Sequence, residues 1–276
     1  MYMRLIRECI VVGGKASGGH VLGKTRDRNY APRLQIIRDV TPEGLEIVYI
    51  HDLDTDYAEG MNSEGIGVVN AALLVGEDEM AVKGKIASDD GPRMFHALQQ
   101  TTLRDAIQSL VSWKDGIKGH TFVGSPKSLY SIELTSKNNP VVKRLNTKTG
   151  FDVRTNHGET HSDAGYTPDR RPDDYLSSKI RKATAEMELA GTDDHNEMMP
   201  AIAKQNFDKG SNYNMMRTTD NMRSTNQVMM HLDNLEFTCY LFPEECKFKG
   251  VVDKTPDDYE PKIKIRVHEY DEEETK

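Results

Sequence analysis

What this sequence has little of narrows its chemistry first. It carries three cysteines, Cys9, Cys239 and Cys246, in 276 residues. An odd count at wide spacing makes no disulfide framework, and Cys239 and Cys246 lack the CxxC spacing of a typical zinc site. Reduced thiols in a reducing compartment are the simplest reading. Positive charge is also short: 36 lysines and arginines against 44 aspartates and glutamates leave a net charge of −8. Phosphate binding needs a basic surface, so no general nucleic-acid partner is expected. No apolar stretch approaches the roughly 18 residues of a membrane span. The opening MYMRLIRE is too short and too charged for a secretory signal. The expected location is the cytoplasm, with neither membrane nor nucleic acid as partner.

What is present suits a soluble globular protein with a real core: 37% hydrophobic and 29% charged residues. Residues 9–14 (CIVVGG) read as a strand, KASGG as a tight turn, and HVLGKTRDRNY (20–30) as the returning strand. RLQIIRDV and LEIVYIHDL form a second hairpin across PEG, and EGMNSEGIGVVNAALLV gives a glycine-punctuated turn and a further strand. The period then changes. Met94, Leu98, Leu103, Ile107, Leu110 and Val111 fall at helical spacing and predict helices over 92–100 and 102–113, the second capped by Thr101 or Thr102.

Four short strands follow in HTFVGS, SLYSIEL, PVVKRLN and FDVRTN, then a helix in DYLSSKIRKATAEMELAG with Gly191 past its end. STNQVMMHLD, LEFTCYLF and PKIKIRVHEY read as late strands. Residues 192–226 are polar and methionine-rich, the place for an insertion, and 271–276 form an acidic tail. This order implies an α+β fold with a large, mostly antiparallel sheet layered by helices. Nothing demands a boundary within 9–270, so a single domain is expected.

Three neighbourhoods are rich in reactive groups: Cys9, TRDRN (25–29) and TNH (155–157). A 9–14/20–30 hairpin sets Cys9 opposite the end of the second strand, near Arg26, Asp27 and Arg28. Cations favour a thiolate, and the thiolate is the nucleophile. From the residues alone, a solvated salt-bridge cluster is the ordinary account of TRDRN, and a buried core cysteine that of Cys9. His157 and His161 are four apart, but in a loop-like stretch without an obvious third ligand. DLDTD (52–56) has Tyr57 and Ser63 where a calcium loop needs glycine and glutamate. Gly18 to Thr25 formally fits GxxxxGK[ST], yet Pro32 follows where a helix should open. No metal or cofactor is expected.

The order of motifs resembles the cysteine branch of the N-terminal-nucleophile hydrolases, which includes choloylglycine hydrolases, penicillin V acylases and acyl-CoA:6-aminopenicillanate acyltransferases. The resemblance rests on Cys9 opening a strand, GKTRDRNY (23–30), EGMNSEGIGVVN (59–70), TLRDAI (102–107), GHTFVGSPKSLYSIEL (119–134), TNH (155–157) and SSKIR (177–181). It covers roughly residues 9–190. Many members carry RNxD in the second strand, whereas RNYA here puts Ala31 at the aspartate. The register with Arg26–Asp27 restores the pair and leaves Arg28 as a competitor for the arginine role.

The resemblance implies an αββα four-layer sandwich with two mainly antiparallel sheets. It implies a leader, residues 1–8, removed by attack of Cys9 on the Glu8 carbonyl. The freed α-amine, with an ordinary pKa of about 7.7–8.0, then serves as general base. The activity implied is hydrolysis of linear amide C–N bonds of a small N-acyl substrate through a thioester, or acyl transfer by the same intermediate. Asn70 and Asn156 match the oxyanion-stabilising asparagines. Asp27 would orient the amine, Arg26 hold the thiolate and Arg181 support the site. A non-catalytic binding module on the same fold is the alternative, and a nucleotide binder the second. Self-association is left open.

Overall fold

Strand β1 (Arg7–Ala16) and strand β2 (Gly19–Arg28) pair along their whole length. Ser17 and Gly18 between them have φ of 49° and 81°, the left-handed pair that lets a two-residue turn match strand twist. The computed structural model describes residues 7–73, 90–112, 118–135, 138–148, 150–219 and 222–270. Residues 1–6 of the expected leader and the tail 271–276 lie outside the described residues.

The other strands are β3 (Arg33–Val40), β4 (Glu46–Asp52), β5 (Tyr57–Asn62), β6 (Gly67–Ala71), β7 (Gly119–Ser125), β8 (Ser128–Leu134), β9 (Val141–Arg144) and β10 (Asp152–Arg154). After these come β11 (Thr218–Thr219), β12 (Met222–His231), β13 (Glu236–Leu241), β14 (Lys247–Asp253) and β15 (Lys264–Glu269). The helices are α1 (Asp90–Leu98), α2 (Leu103–Ser112), α3 (Pro172–Glu188) and α4 (His195–Ala201). One sheet runs β10, β1, β2, β12, β13, β15, with β11 paired to β12; the other runs β14, β3, β4, β5, β6, β7, β8, β9.

Side chains alternate across a strand, so β1 feeds two cores. Cys9 and Val11 join Leu22, Val48, Val69, Phe122 and Val228 between the sheets. Ile10 and Val12 join Val21, Ala185, Met198 and Met199 under α3 and α4. A third cluster sets Met94, Leu98, Ala106 and Leu110 of α1 and α2 on Ile47, Val68 and Val123 of the second sheet. The layers are therefore helix, sheet, sheet, helix: an αββα sandwich. Thr102 caps α2, its hydroxyl accepting the Asp105 N–H at 3.1 Å. Gly191 follows α3 with φ of 83°. Within 192–226, α4 and the buried Met215 and Met216 belong to the outer core.

Two strands carry no clear sequence signal. In β5 (YAEGMN) every residue is buried, so no alternation remains to be read. A Cβ at Gly60 would stand 2.6 Å from the Tyr49 Cα, which ties glycine to this crossing of β4 and β5. β14 is lysine-rich and pairs parallel with β3, as β15 does with β13; the remaining pairings are antiparallel. Among the described residues no helix is long and apolar enough to cross a membrane.

Candidate active site

Cys9 lies opposite Arg26 in the β1–β2 ladder. Partners across a ladder share a face, and so do residues two apart on a strand. Lys24, Arg26 and Arg28 therefore form a cationic stripe on the inner face of β2, beside the sulfur and almost wholly buried. The second sheet supplies the counter-charges. Lys24 Nζ stands 2.6 Å from Glu59; Arg26 reaches Glu59 at 3.2 Å and Asp52 at 3.5 Å. Lys24 and Arg26 also lie over the Tyr57 ring, 4.3 and 4.7 Å from its centroid.

Three cations thus face two carboxylates, and the third cation turns to the nucleophile. Arg28 Nη1 is 3.8 Å from Cys9 Sγ and donates to the Asp27 carbonyl at 2.7 Å. Burial works against the Arg28 charge, but Cys9, Tyr30 and Asp52 outweigh it and hold its pKa above the ordinary arginine value. Burial depresses Lys24 despite Cys9 and Glu59. The arginine touching sulfur is Arg28, while Arg26 serves Asp52 and Glu59. Gly23, Lys24 and Thr25 sit in mid-strand, which removes the phosphate-loop reading: an extended strand cannot wrap a phosphate with successive N–H groups.

The outer face of the same strand ends carries a second cluster. Glu8 stands opposite Asp27, and Asp27 opposite Ser224. The Glu8 carboxylate takes Arg181 Nη2, Arg217 Nη2 and the Tyr166 hydroxyl, each at 2.8 Å. Asp27 takes Arg181 at 3.3 Å and the Ser224 hydroxyl at 2.7 Å. Burial would raise both carboxyls. For Glu8, Arg217, Arg181 and Tyr166 outweigh burial and hold it below the usual range. For Asp27 burial wins over Arg181 and Arg217, and its pKa is raised.

Asn156 joins the two faces. β10 stops at Arg154, so the Cys9 N–H lies beyond the ladder and needs another acceptor. Asn156 Oδ1 accepts it at 3.2 Å and accepts Arg181 Nη2 at 3.2 Å. Its Nδ2 donates to the Ala72 carbonyl at 3.0 Å. The SSxxR helix pins this loop. Ser178 and Arg181 are three apart and share a face of α3. Ser178 Oγ accepts the Asn156 N–H at 2.9 Å and pairs with His157 Nδ1 at 2.8 Å. Asn70 stands on β6 of the facing sheet, which packs against β1 and β2, with Nδ2 donating to Thr121 at 2.9 Å.

Direct contacts therefore link Cys9, Arg28, Asn156, Arg181 and Asp27, with Arg26 adjacent in the ladder and Asn70 across the interface. Cys9 is 2% exposed. A cleft of about 400 Å³, lined by Lys15, Ser17, Phe151 and Asp193, lies at the turn end of the same hairpin, away from it. The sequence motifs single out neither the Glu8 side chain nor Tyr166, Arg217 and Ser224. The stripe at 24, 26 and 28 was readable, because charges at every second position of a strand share a face. Nothing in the sequence marks Arg217 or Tyr166 as partners of Glu8.

Among solved structures, the chain is similar to the Caenorhabditis elegans ortholog of N-acylethanolamine-hydrolyzing acid amidase, with a TM-score of 0.51 and 13% identity over 81% of this chain and 93% of that one. It also matches penicillin V acylase from Agrobacterium tumefaciens, with a TM-score of 0.47 and 11% identity over 86% of each chain. No family model matches the sequence, and no curated protein does. With the layer order and the first of these likenesses, the resemblance read from the motif order holds at the level of architecture: the chain has the αββα fold of the cysteine N-terminal-nucleophile hydrolases.

Proposed function

We propose that this chain is a self-processing cysteine amidohydrolase whose nucleophile is Cys9 once residues 1–8 have left. In the precursor, Sγ attacks the Glu8 carbonyl carbon. The C–S bond forms, the C–N bond breaks, and the nitrogen of Cys9 takes up the thiol proton. Water then hydrolyses the thioester, releasing the leader as a free acid and restoring the thiol. The new α-amine accepts the thiol proton as Sγ attacks a substrate amide. As the tetrahedral intermediate collapses, the α-ammonium returns that proton to the leaving nitrogen, the C–N bond breaks, the amine departs and an acyl-enzyme remains, which water resolves. An amine in place of water gives acyl transfer.

The observation that carries this reading is the double grip on Cys9: its nitrogen on Asn156 Oδ1 at 3.2 Å and its sulfur 3.8 Å from Arg28 Nη1. The first orients the nitrogen that becomes the base, and the second offsets a thiolate. An amide nitrogen carries two hydrogens. Asn156 and Asn70 each spend one on a neighbour and bring the other to the oxyanion, a donor worth about 3–4 kcal/mol. Asp27 accepts from the amine, Arg181 holds Asp27 and Asn156 in register, and Arg26 balances Asp52 and Glu59.

The test is the mature N-terminus, read by intact mass, together with turnover of a panel of N-acyl amides. Wild-type protein should begin at Cys9, take up iodoacetamide there and cleave at least one amide. Cys9→Ala should keep residues 1–8 and lack activity; hydrolysis by Cys9→Ala would overturn the mechanism. A binding module without turnover is the second reading, favoured by the closed Glu8 clamp and the buried thiol. An intact Met1 with Cys9 unlabelled would favour it over the hydrolase.

A further inference from the structure

The Glu8 clamp has a use beyond holding the precursor. Resting on the processing proposed above, we infer that loss of Glu8 vacates a carboxylate subsite, and that the mature enzyme prefers amides whose acyl group carries an anion at the place of the Glu8 side chain. The site is built and buried. Arg181, Arg217 and Tyr166 converge on one carboxylate at 2.8 Å each, and both arginines are almost fully enclosed. Their Nε atoms have no hydrogen-bond partner among the described residues.

With Glu8 gone, two buried guanidiniums face the single carboxylate of Asp27. Buried charges demand pairing, so the emptied site selects an anion. Departure of Arg7 and Glu8 also frees the β1-facing edge of Arg28 and Asp27, whose other edge stays paired with Arg223 and Ser224 of β12, and leaves a gap at that end of the sheet.

The geometry sets the length of the ligand. Glu8 is itself the first acyl group that Cys9 transfers, so its carbonyl carbon marks where a substrate carbonyl must lie. From that carbon to the carboxylate carbon run three carbons, Cα, Cβ and Cγ. Glutaryl and α-glutamyl amides reproduce that span; a pentanoyl amide reproduces the length without the charge.

The experiment compares glutaryl-p-nitroanilide with pentanoyl-p-nitroanilide on processed protein, its N-terminus read by mass. Losing one partner of a buried charge pair typically costs enough for at least about a 30-fold effect. The glutaryl amide should lead by at least that factor in kcat/KM, and Arg217→Met should reduce the lead to a few-fold. Free glutarate should raise the melting temperature of the processed protein and leave that of Cys9→Ala unmoved, since Glu8 still fills the site there. A chain that begins at Cys9 yet cleaves both amides equally, or shows no glutarate shift, overturns the subsite and leaves the proposed function standing. A chain that retains residues 1–8 ends both.

Discussion

Glu8→Gln in a Cys9→Ala background isolates the clamp, because that background keeps the leader attached. The wild-type carboxylate is almost fully buried, with two guanidiniums at 2.8 Å and a hydroxyl at 2.8 Å. Removing one partner of a buried ion pair typically costs about 3–5 kcal/mol, because the remaining charge stays desolvated. Glutamine keeps the volume and one acceptor oxygen, so the lower end applies, about 3 kcal/mol. For a chain of this size each kcal/mol moves the midpoint by about 2–4 °C, so a fall of at least about 6 °C is expected at pH 7 by scanning calorimetry.

The pH dependence has a definite sign. Glu8 has its folded pKa held below the ordinary 4.5. The stabilisation is therefore present above that value and is lost as pH falls through the folded one. Parent and variant should converge only as pH falls through that lowered value, below the ordinary glutamate range. A difference under about 2 °C at pH 7, or one that persists unchanged into acid, refutes the ionised clamp.

Other expectations follow from single sites. His120 is buried, with Nε2 on the His157 carbonyl at 2.8 Å; burial pushes its pKa down to about 4 against the opposing pull of that carbonyl and Glu133. The unfolded chain then binds the proton first, so stability falls between pH 6.5 and about 4, by at most about 3 kcal/mol. His120→Gln should flatten that stretch of the urea-midpoint profile; an unchanged slope contradicts the assignment. Burial also raises Cys239 strongly and pushes Cys246 up to about 11, so iodoacetamide at pH 8 on native processed protein should leave both unmodified by peptide mapping. Gly60→Ala drives a methyl into the backbone of β4 and should cost about 1–3 kcal/mol, read as a lower denaturation midpoint with β content retained after refolding.

Much of the fold was open to reading because its signals are local. Alternation in RLQIIRDV, the Ser-Gly turn at 17–18, the helical spacing from Met94 to Val111 and the Thr102 cap all arise within a few residues. β5 escaped because burial on both faces leaves no period, and β14 because lysines dilute its pattern. At the site, the expected hairpin set Cys9 near Arg26, Asp27 and Arg28, and the structure fixes the register with Cys9 opposite Arg26. It did not say which arginine meets the sulfur. Arg26 and Arg28 share a face, and only the positions of Asp52 and Glu59 on the other sheet draw Arg26 away and leave Arg28 at 3.8 Å.

The sequence by itself thus determined the strand that carries Cys9, though the strand begins at Arg7 rather than at the cysteine, the turn that folds it back and the α+β layering, since backbone preference and hydrophobic period act over short range. The tertiary structure alone decided that Glu8, an unremarked leader residue, is gripped by arginines 173 and 209 positions away. An acidic side chain reads the same in sequence whether it ends in water or between two guanidiniums. Only packing removes the water, and with it the freedom of that charge to stay unpaired.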